Sequence, residues 1–185
     1  MTELASPAQL RAALLRWSLF TVPGVLLLGF FSGAVAGSTA RNPWFLDLVK
    51  PSLYPPPATF GIVWSILYVL IGLALAMVIT ARGAPRRGLA IGLFVVQLLL
   101  NLAWSPLFFG AHQITGALVL LVVLDLAVVA TVVVFRQVRP MAAALMLPYL
   151  GWVLFATVLN WQFLEANPDA DGAQNSGAVS TVEFK

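Results

Sequence analysis

The sequence predicts an all-α integral membrane protein that folds as a bundle of five transmembrane helices. Of its 185 residues, 61% are hydrophobic and only 9% are charged, whereas a water-soluble domain carries roughly 25% charged residues. The mean hydropathy is +0.95. The charges also cluster, which leaves uncharged stretches long enough for the about 20 apolar residues that a membrane-crossing helix needs. Because lipid offers backbone groups no hydrogen-bond partner, we expect these stretches to be helical.

The charge-free stretches define the boundaries of a single membrane domain at 1–161. Its spans are predicted at about 17–37, 61–81, 89–109, 114–135 and 141–161. The residues that follow, 162–185, are polar and rich in Gly, Ala and Ser, so we expect a disordered tail.

The arginines predict the orientation. With five spans, the N-terminus and the loops at 82–88 and 136–140 share one side, and these segments hold most of the arginines. The positive-inside rule then places the N-terminus in the cytoplasm and the C-terminus outside. A bacterial inner membrane is the simplest location. The net charge of +3 follows from this topology and indicates no nucleic-acid partner. Without cysteine, the chain can form neither a disulfide framework nor a cysteine metal site.

The first span has two interpretations. Its hydrophobic stretch ends in an A-x-A pattern at 34–36, as the cleavage site of a signal peptide would. We favour a span, because the stretch is long enough to cross a bilayer and carries glycines at four-residue spacing, which let another helix approach closely. The glycines in such patterns, here and in the third span, are candidates for helix packing or a homodimer seam: Gly29, Gly33, Gly37, Gly88 and Gly92.

Polar and aromatic residues recur on one face of three spans. The sets are Trp64 and Tyr68 in the second span, Gln97, Asn101, Trp104 and Phe108 in the third, and Tyr149, Trp152, Ala156 and Asn160 in the fifth. At about 1.5 Å per residue, Trp104 and Trp152 lie too deep for an interfacial belt. An amide in hydrocarbon must be paired or face a cavity. The pattern leaves a ligand cavity and plain packing as alternatives, with the cavity slightly favoured.

Three sequence blocks resemble a known family. They are WFLDLVKPSLYPP followed by VWSILY at 63–68, QLLLNLAWSPLFFG at 97–110, and PMAAALMLPYLGWVLFATVLNW at 140–161. In this order and spacing, from about Gly33 to Asn167, the chain resembles the TspO/MBR family of tryptophan-rich sensory and translocator proteins. The resemblance implies a dimerising five-helix bundle whose pocket, on the side of the first loop, binds tetrapyrroles such as protoporphyrin IX or haem. It implies neither an obligatory cofactor nor a metal site.

The resemblance also implies which residues line that pocket. The matching positions are Trp44, Trp64, Tyr68, Asn101, Trp104, Phe108, Trp152, Ala156 and Asn160. Some bacterial relatives convert protoporphyrin IX in light, and the tryptophans tied to that chemistry match Trp64 and Trp152. Indole faces can stack on the flat macrocycle, and Arg41 or Lys50 could meet a propionate. The proline-rich 38–60 loop is then better interpreted as a lid than as a linker, because proline pre-sets extended backbone.

The chain also departs from the family. Many members carry aromatic residues where this chain has Leu53, Ala58 and Gly116, so we expect a roomier and less aromatic pocket. Within the fourth span, Asp125 must be protonated, paired or in a cavity, and a proton relay is a less favoured alternative. His112, the only histidine, is more readily interpreted as a loop residue than as a haem ligand.

Three functional classes remain open. The leading hypothesis is a tetrapyrrole receptor, sensor or translocator in the membrane. The second is a light-dependent enzyme that degrades protoporphyrin IX, in which Trp64 and Trp152 would be catalytic. The third is a small-molecule transporter, which the absence of visible sequence repeats disfavours.

Overall fold

Six α-helices make up the fold in the computed structural model, which describes residues 6–38 and 42–172. They are α1 (Pro7–Val35), α2 (Pro43–Asp47), α3 (Pro57–Thr80), α4 (Arg87–Ser105), α5 (Ile114–Val138) and α6 (Pro140–Ala166). A π-helical turn, Pro106–Gly110, extends α4, and a 3₁₀ turn, Pro168–Ala170, follows α6. The described residues contain no strand.

Most of the helices begin where local chemistry favours a helix start. Proline occupies the first turn of α1, α2, α3 and α6, where its missing N–H costs nothing. At α1, the side chain of Ser6 accepts from the Gln9 backbone N–H and Gln9 bonds back to the Ser6 N–H, which completes a capping box. This box explains why α1 begins at Pro7, well before the hydropathy boundary predicted at residue 17.

The five long helices form a bundle whose outer surface is apolar. α3 packs against α1 and α6, α5 packs against α4 and α6, and α1 also meets α4. Each long helix, with the π turn counted as part of α4, is long and apolar enough to span a bilayer. Large outward side chains such as Phe20, Leu27 and Leu126 are 74%, 70% and 67% exposed, which suits lipid and not water. The predicted fold, an integral membrane bundle of five spans, is confirmed.

The bundle has two chemically different ends. The lid end carries α2, the 111–113 turn and residues 167–172. The arginine end carries Arg82, Arg86, Arg87, Arg136 and Arg139. Arg16 of α1 lines the same surface cleft as Arg82, so α1 also starts at the arginine end. These six arginines thus lie at one end, and the side of the membrane that this end faces stays a prediction.

The glycines of the first span divide into different roles. A Cβ at Gly29 would lie 2.2 Å from a ring carbon of Tyr68, so this glycine makes room for α3 within the same chain. Gly37 was predicted as the third step of a helix seam, but α1 ends at Val35. Gly37 has φ +65°, a left-handed turn conformation that suits glycine. Gly88 and Gly92 have no atom within 4 Å of an added Cβ, and a dimer seam through them stays a prediction.

The C-terminal boundary differs from the prediction. α6 continues past residue 161 to Ala166, and Asn167, only 8% exposed, hydrogen-bonds the backbone of Val49. Composition alone assigned 162–172 to a polar tail because these long-range contacts leave no periodic signal. The rest of the predicted tail, 173–185, lies outside the described residues.

Candidate functional site

A cavity of about 270 Å³ lies inside the lid end of the bundle. Eight of the nine residues predicted for a ligand site line it: Trp64, Tyr68, Asn101, Trp104, Phe108, Trp152, Ala156 and Asn160. They come from α3, α4 with its π turn, and α6. The structure thus brings these eight side chains, which the sequence placed on one face of each helix, around one cavity.

Trp44 is the exception. It is 5% exposed but does not belong to the cavity lining. Its ring stacks on His112 with centroids 4.5 Å apart and meets the edge of Phe108 at 5.4 Å. Trp44 therefore packs behind Phe108 and joins α2 to the turn before α5. His112, its stacking partner, also lies outside the lining.

Hydrogen bonds fix two walls of the cavity. The indole N–H of Trp104 donates to Asn160 Oδ1 at 3.2 Å, and Asn160 Nδ2 donates to the backbone carbonyl of Ile114 at 3.0 Å. One turn earlier in α4, Asn101 Oδ1 accepts a hydrogen bond from the hydroxyl of Tyr68 at 3.2 Å. Buried polar groups satisfied in this way hold their side chains in one orientation. Both asparagines are thus part of the wall structure.

Two indole donors remain available to a ligand. Trp64 and Trp152 line the cavity, and their N–H groups make no hydrogen bond to any residue that the structure describes. Their rings are held by aromatic neighbours instead, with Trp64 5.0 Å from Tyr68 and Trp152 5.2 Å from Phe155. A ligand that offers an acceptor at the cavity rim would satisfy them.

The π turn after Ser105 adds Phe109, a ring that the α-helical pattern did not predict, beside the predicted Phe108. Pro106 lacks an N–H, and the Ala111 N–H reaches back to the Pro106 carbonyl at 2.9 Å, a wider register than the α-helix uses. The turn brings consecutive residues, Phe108 and Phe109, to the lining. Trp104 stacks on Phe108 with centroids 5.2 Å apart. The stretch PLFF at 106–109 is the sequence signal that could have indicated this wall.

The lid contributes aromatic side chains that the sequence analysis also missed. Phe45 of α2, Tyr54 and Phe60 line the cavity, as does Phe163 of α6. Phe45 lies 5.6 Å from Phe163, and Tyr54 lies 5.7 Å from it, ring centroid to centroid. Burial raises the pKa of Tyr54. The aromatic residues within WFLDLVKPSLYPPPATF were the available signal.

The side chain of Lys50 makes its contacts within the lid. Its ammonium donates to the backbone carbonyls of Phe45 and Leu48 and lies 4.5 Å from the centroid of the Phe45 ring. Burial lowers the pKa of Lys50, and the carboxylate of Asp47 partly offsets this. The expected contact with a propionate would require Lys50 to leave these carbonyls, and Arg41 lies outside the described residues. Among the residues described, the lining includes no charged side chain.

The residues that depart from the family pattern lie away from the cavity. Leu53 and Ala58 are exposed. An added Cβ at Gly116 would approach the side chains of Gln113 and Leu107. None of the three lines the cavity, and the expectation of a roomier, less aromatic pocket stays a prediction. Leu53 and Ala58 face the outside of the bundle, and Gly116 faces Gln113 and Leu107.

Asp125 is buried between α5 and α6, outside the cavity lining. Its Oδ2 accepts a hydrogen bond from the Thr157 hydroxyl at 2.8 Å. Leu124, which precedes Asp125, and Ala156, which precedes Thr157, both line the cavity. The pair therefore joins α5 to α6 behind the cavity wall, which makes Asp125 a helix partner.

The fold and the cavity define a class of protein: a polytopic α-helical membrane protein with an uncharged, aromatic cavity under a lid. Comparison with known proteins identifies the family. Residues 21–165 match the model of the TspO/MBR family. The chain is 39% identical over 147 residues to the tryptophan-rich protein TspO of Chlorobaculum tepidum, which covers 78% of this chain and 92% of that protein.

Other relatives agree. Identity to the translocator protein of Homo sapiens is 42% over 138 residues, which covers 72% of this chain and 80% of that protein. Identity to the tryptophan-rich sensory protein of Cereibacter sphaeroides is 34% over 152 residues, which covers 82% of this chain and 92% of that protein. The chain belongs to the TspO/MBR family, whose members include membrane receptors, sensors and translocators.

Proposed function

We propose that this protein is a membrane receptor that binds tetrapyrroles, such as protoporphyrin IX or haem, in the cavity at the lid end. The observation that carries the proposal is the lining: three indoles and several phenyl rings surround an uncharged space. Flat apolar macrocycles gain from burial against such rings. The free N–H groups of Trp64 and Trp152 provide donors for the polar edge of the ligand.

The size of the cavity requires the lid to move. Ligand sites typically occupy about 300–1,000 Å³, and this cavity, at about 270 Å³, is slightly smaller than that range. A tetrapyrrole would therefore displace lid side chains such as Phe45 and Tyr54, which line the cavity. Its propionates would lie toward the lid end, since no charged side chain among the described residues lines the interior.

A light-dependent enzyme remains the second candidate for one reason. Trp64 and Trp152, the two tryptophans that match those tied to porphyrin conversion in relatives, both line the cavity, so a bound macrocycle would contact both indoles. The receptor and the enzyme share the same bound state and differ only in what light does to it.

A titration of the detergent-purified protein with protoporphyrin IX tests the proposal. In the dark, we expect saturable quenching of tryptophan fluorescence. An Ala156→Phe variant fills the cavity without removing a wall contact and should abolish the saturable phase. Trp161→Phe is the matched control, because Trp161 is 49% exposed on the outer surface and its replacement should leave the affinity unchanged.

Illumination then separates the two candidates. A stable porphyrin absorbance band under light supports the receptor. Loss of the band that Trp152→Phe prevents, while binding in the dark persists, would make the protein an enzyme. Absence of saturable binding in the unmodified protein would refute both.

A further inference from the structure

One buried polar side chain at the lid end belongs to neither the cavity nor the bundle core. We propose that Asn167, just beyond α6, is the latch that holds the lid closed and thereby sets the rate of ligand exchange. This inference rests on the proposed function for its consequence, although the latch itself can be measured without a ligand.

Asn167 binds both backbone groups of a single lid residue. Its Oδ1 accepts from the Val49 N–H at 2.7 Å, and its Nδ2 donates to the Val49 carbonyl at 3.0 Å. The second hydrogen of Nδ2 reaches the Phe163 carbonyl at 2.9 Å. The carboxamide thus pairs with the lid as a neighbouring strand would, across a sequence separation of 118 residues.

Val49 itself is attached by these bonds, whereas its neighbours Leu48 and Phe45 are held by burial of their side chains. The Val49 side chain is 61% exposed, so burial of that side chain contributes little to holding the segment down. The following residue, Lys50, donates only to carbonyls within the lid. Pro51 comes next and has no N–H to offer. Around residue 49, Asn167 is therefore the polar connection from the lid to α6.

The base of the latch is anchored independently of the lid. The Gly172 N–H donates to the His112 carbonyl at 2.8 Å, and the Thr115 N–H donates to Asp171 Oδ1 at 3.1 Å. These bonds fasten the segment after Asn167 to the start of α5. If the bonds between Asn167 and Val49 break, the lid moves while residues 167–172 stay in place.

Opening the lid breaks two hydrogen bonds between Asn167 and Val49 at once, which makes lid opening infrequent. The loss of two such bonds typically changes an equilibrium constant by about tenfold. Removing the side chain should raise the open population in both the free and the bound protein. Ligand entry and exit therefore accelerate together, by about tenfold each, while the equilibrium affinity changes by less.

The primary test is hydrogen exchange of the ligand-free protein, followed by mass spectrometry. In Asn167→Ala, the peptide that contains residues 43–54 should exchange about tenfold faster or more, with peptides from α4 and α5 unchanged. Glu165→Ala is the matched control, because Glu165 is exposed near the same helix end and should leave the lid protected. Unchanged lid exchange in Asn167→Ala would overturn the latch.

Two further variants separate the latch from simple packing. Asn167→Leu keeps a similar volume without hydrogen bonds and should open the lid as Ala does. Asn167→Asp keeps the acceptor for the Val49 N–H but replaces the donor, and it should also open the lid. Protection retained in the Leu variant would show that packing alone holds the lid, and would overturn the proposal.

Protoporphyrin IX exchange, measured by stopped-flow tryptophan quenching, tests the consequence. Faster association and dissociation in Asn167→Ala, with Glu165→Ala unchanged, support the latch as the control of exchange. Faster hydrogen exchange with no porphyrin binding even in the unmodified protein would retain the latch and refute the proposed ligand. If hydrogen exchange of the lid is faster but the porphyrin association and dissociation rates are unaltered, Asn167 does not set the rate of ligand entry and exit, and that part of the proposal is refuted.

Discussion

The two ends of the bundle differ in how closely their helices pack. At the arginine end, Ala74, Ala76, Ala90 and Ala142 are fully buried, and small side chains let helix backbones approach closely. At the lid end, indole and phenyl rings meet at centroid separations such as the 5.2 Å of Trp104 and Phe108, and they enclose about 270 Å³. The same five helices therefore close at one end and leave a cavity at the other.

The largest loss of stability should come from inserting a methyl group where α1 and α3 are in backbone contact. An added Cβ at Gly72 would lie 2.8 Å from the Cα of Val22, and the Gly72 carbonyl accepts a hydrogen bond from Thr21 at 2.8 Å. Backbone cannot rotate out of the way, so Gly72→Ala must separate the helices. We expect a loss of about 3 kcal/mol of stability, measured as the unfolding midpoint of the purified protein.

The matched control lies in the neighbouring helix. Gly24 of α1 has no atom within 4 Å of an added Cβ, so Gly24→Ala should change stability by no more than about 1 kcal/mol. Equal destabilisation by the two substitutions would contradict the assignment of Gly72 to a tight helix contact.

The next largest effect should come from the wall of the cavity. Asn160→Leu would leave the Trp104 N–H and the Ile114 carbonyl without the partner that now satisfies both. We expect a loss of about 2 kcal/mol together with weaker quenching by protoporphyrin IX. Asn160→Asp keeps the acceptor for Trp104 but not the donor to Ile114, so its effect should differ from that of Leu. A variant that binds porphyrin normally would show that Trp104 needs no fixed orientation.

The cavity was more predictable than the elements that cover it. Trp64, Trp104, Trp152 and Asn101 lie on regular helices, where period and depth decide which side chains meet. Trp44 was predicted in the lining, but a stack on His112 holds it outside, and residue spacing carries no information about that contact. The position of Asn167 was equally hidden, because its partner is 118 residues away.

The π turn was unpredictable for a related reason. Its register depends on which carbonyl the Ala111 N–H reaches, and Pro106 indicates a disturbance without specifying the register that results. The start of α1 could have been predicted, because the capping box at Ser6 and Gln9 is visible in the sequence. The predicted boundary was instead based on hydropathy alone.

A smaller effect on stability is expected at the cavity end of the same α1–α3 contact. In Gly29→Ala, the new Cβ meets the Tyr68 ring, which can swing aside where the backbone at Gly72 cannot. We expect a cost of about 1 kcal/mol but a clear change in porphyrin affinity, because the bond between Tyr68 and Asn101 must break. The unfolding midpoint and the affinity for protoporphyrin IX, measured on the same preparation, test this prediction. A Gly29→Ala protein less stable than Gly72→Ala would reverse the proposed difference between the two contacts.

The smallest effect concerns the charge that fastens residues 167–172 to α5. Burial alone would raise the pKa of Asp171, but hydrogen bonds from Thr115 and from the Ile114 backbone hold it below its ordinary value of 3.8. A carboxyl group with a lowered pKa stabilises the folded state above pH 3.8, and this contribution is lost as the pH falls through the folded pKa. Asp171→Asn should therefore be less stable than the unmodified protein at neutral pH by about a few tenths of a kcal/mol, and the difference should vanish in acid. Unfolding midpoints from about pH 6 to about pH 2.5 measure the difference, with Asp169→Asn, an exposed neighbour, as the control. A difference independent of pH would mean that the shape of the Asp171 side chain, and not its charge, anchors the segment.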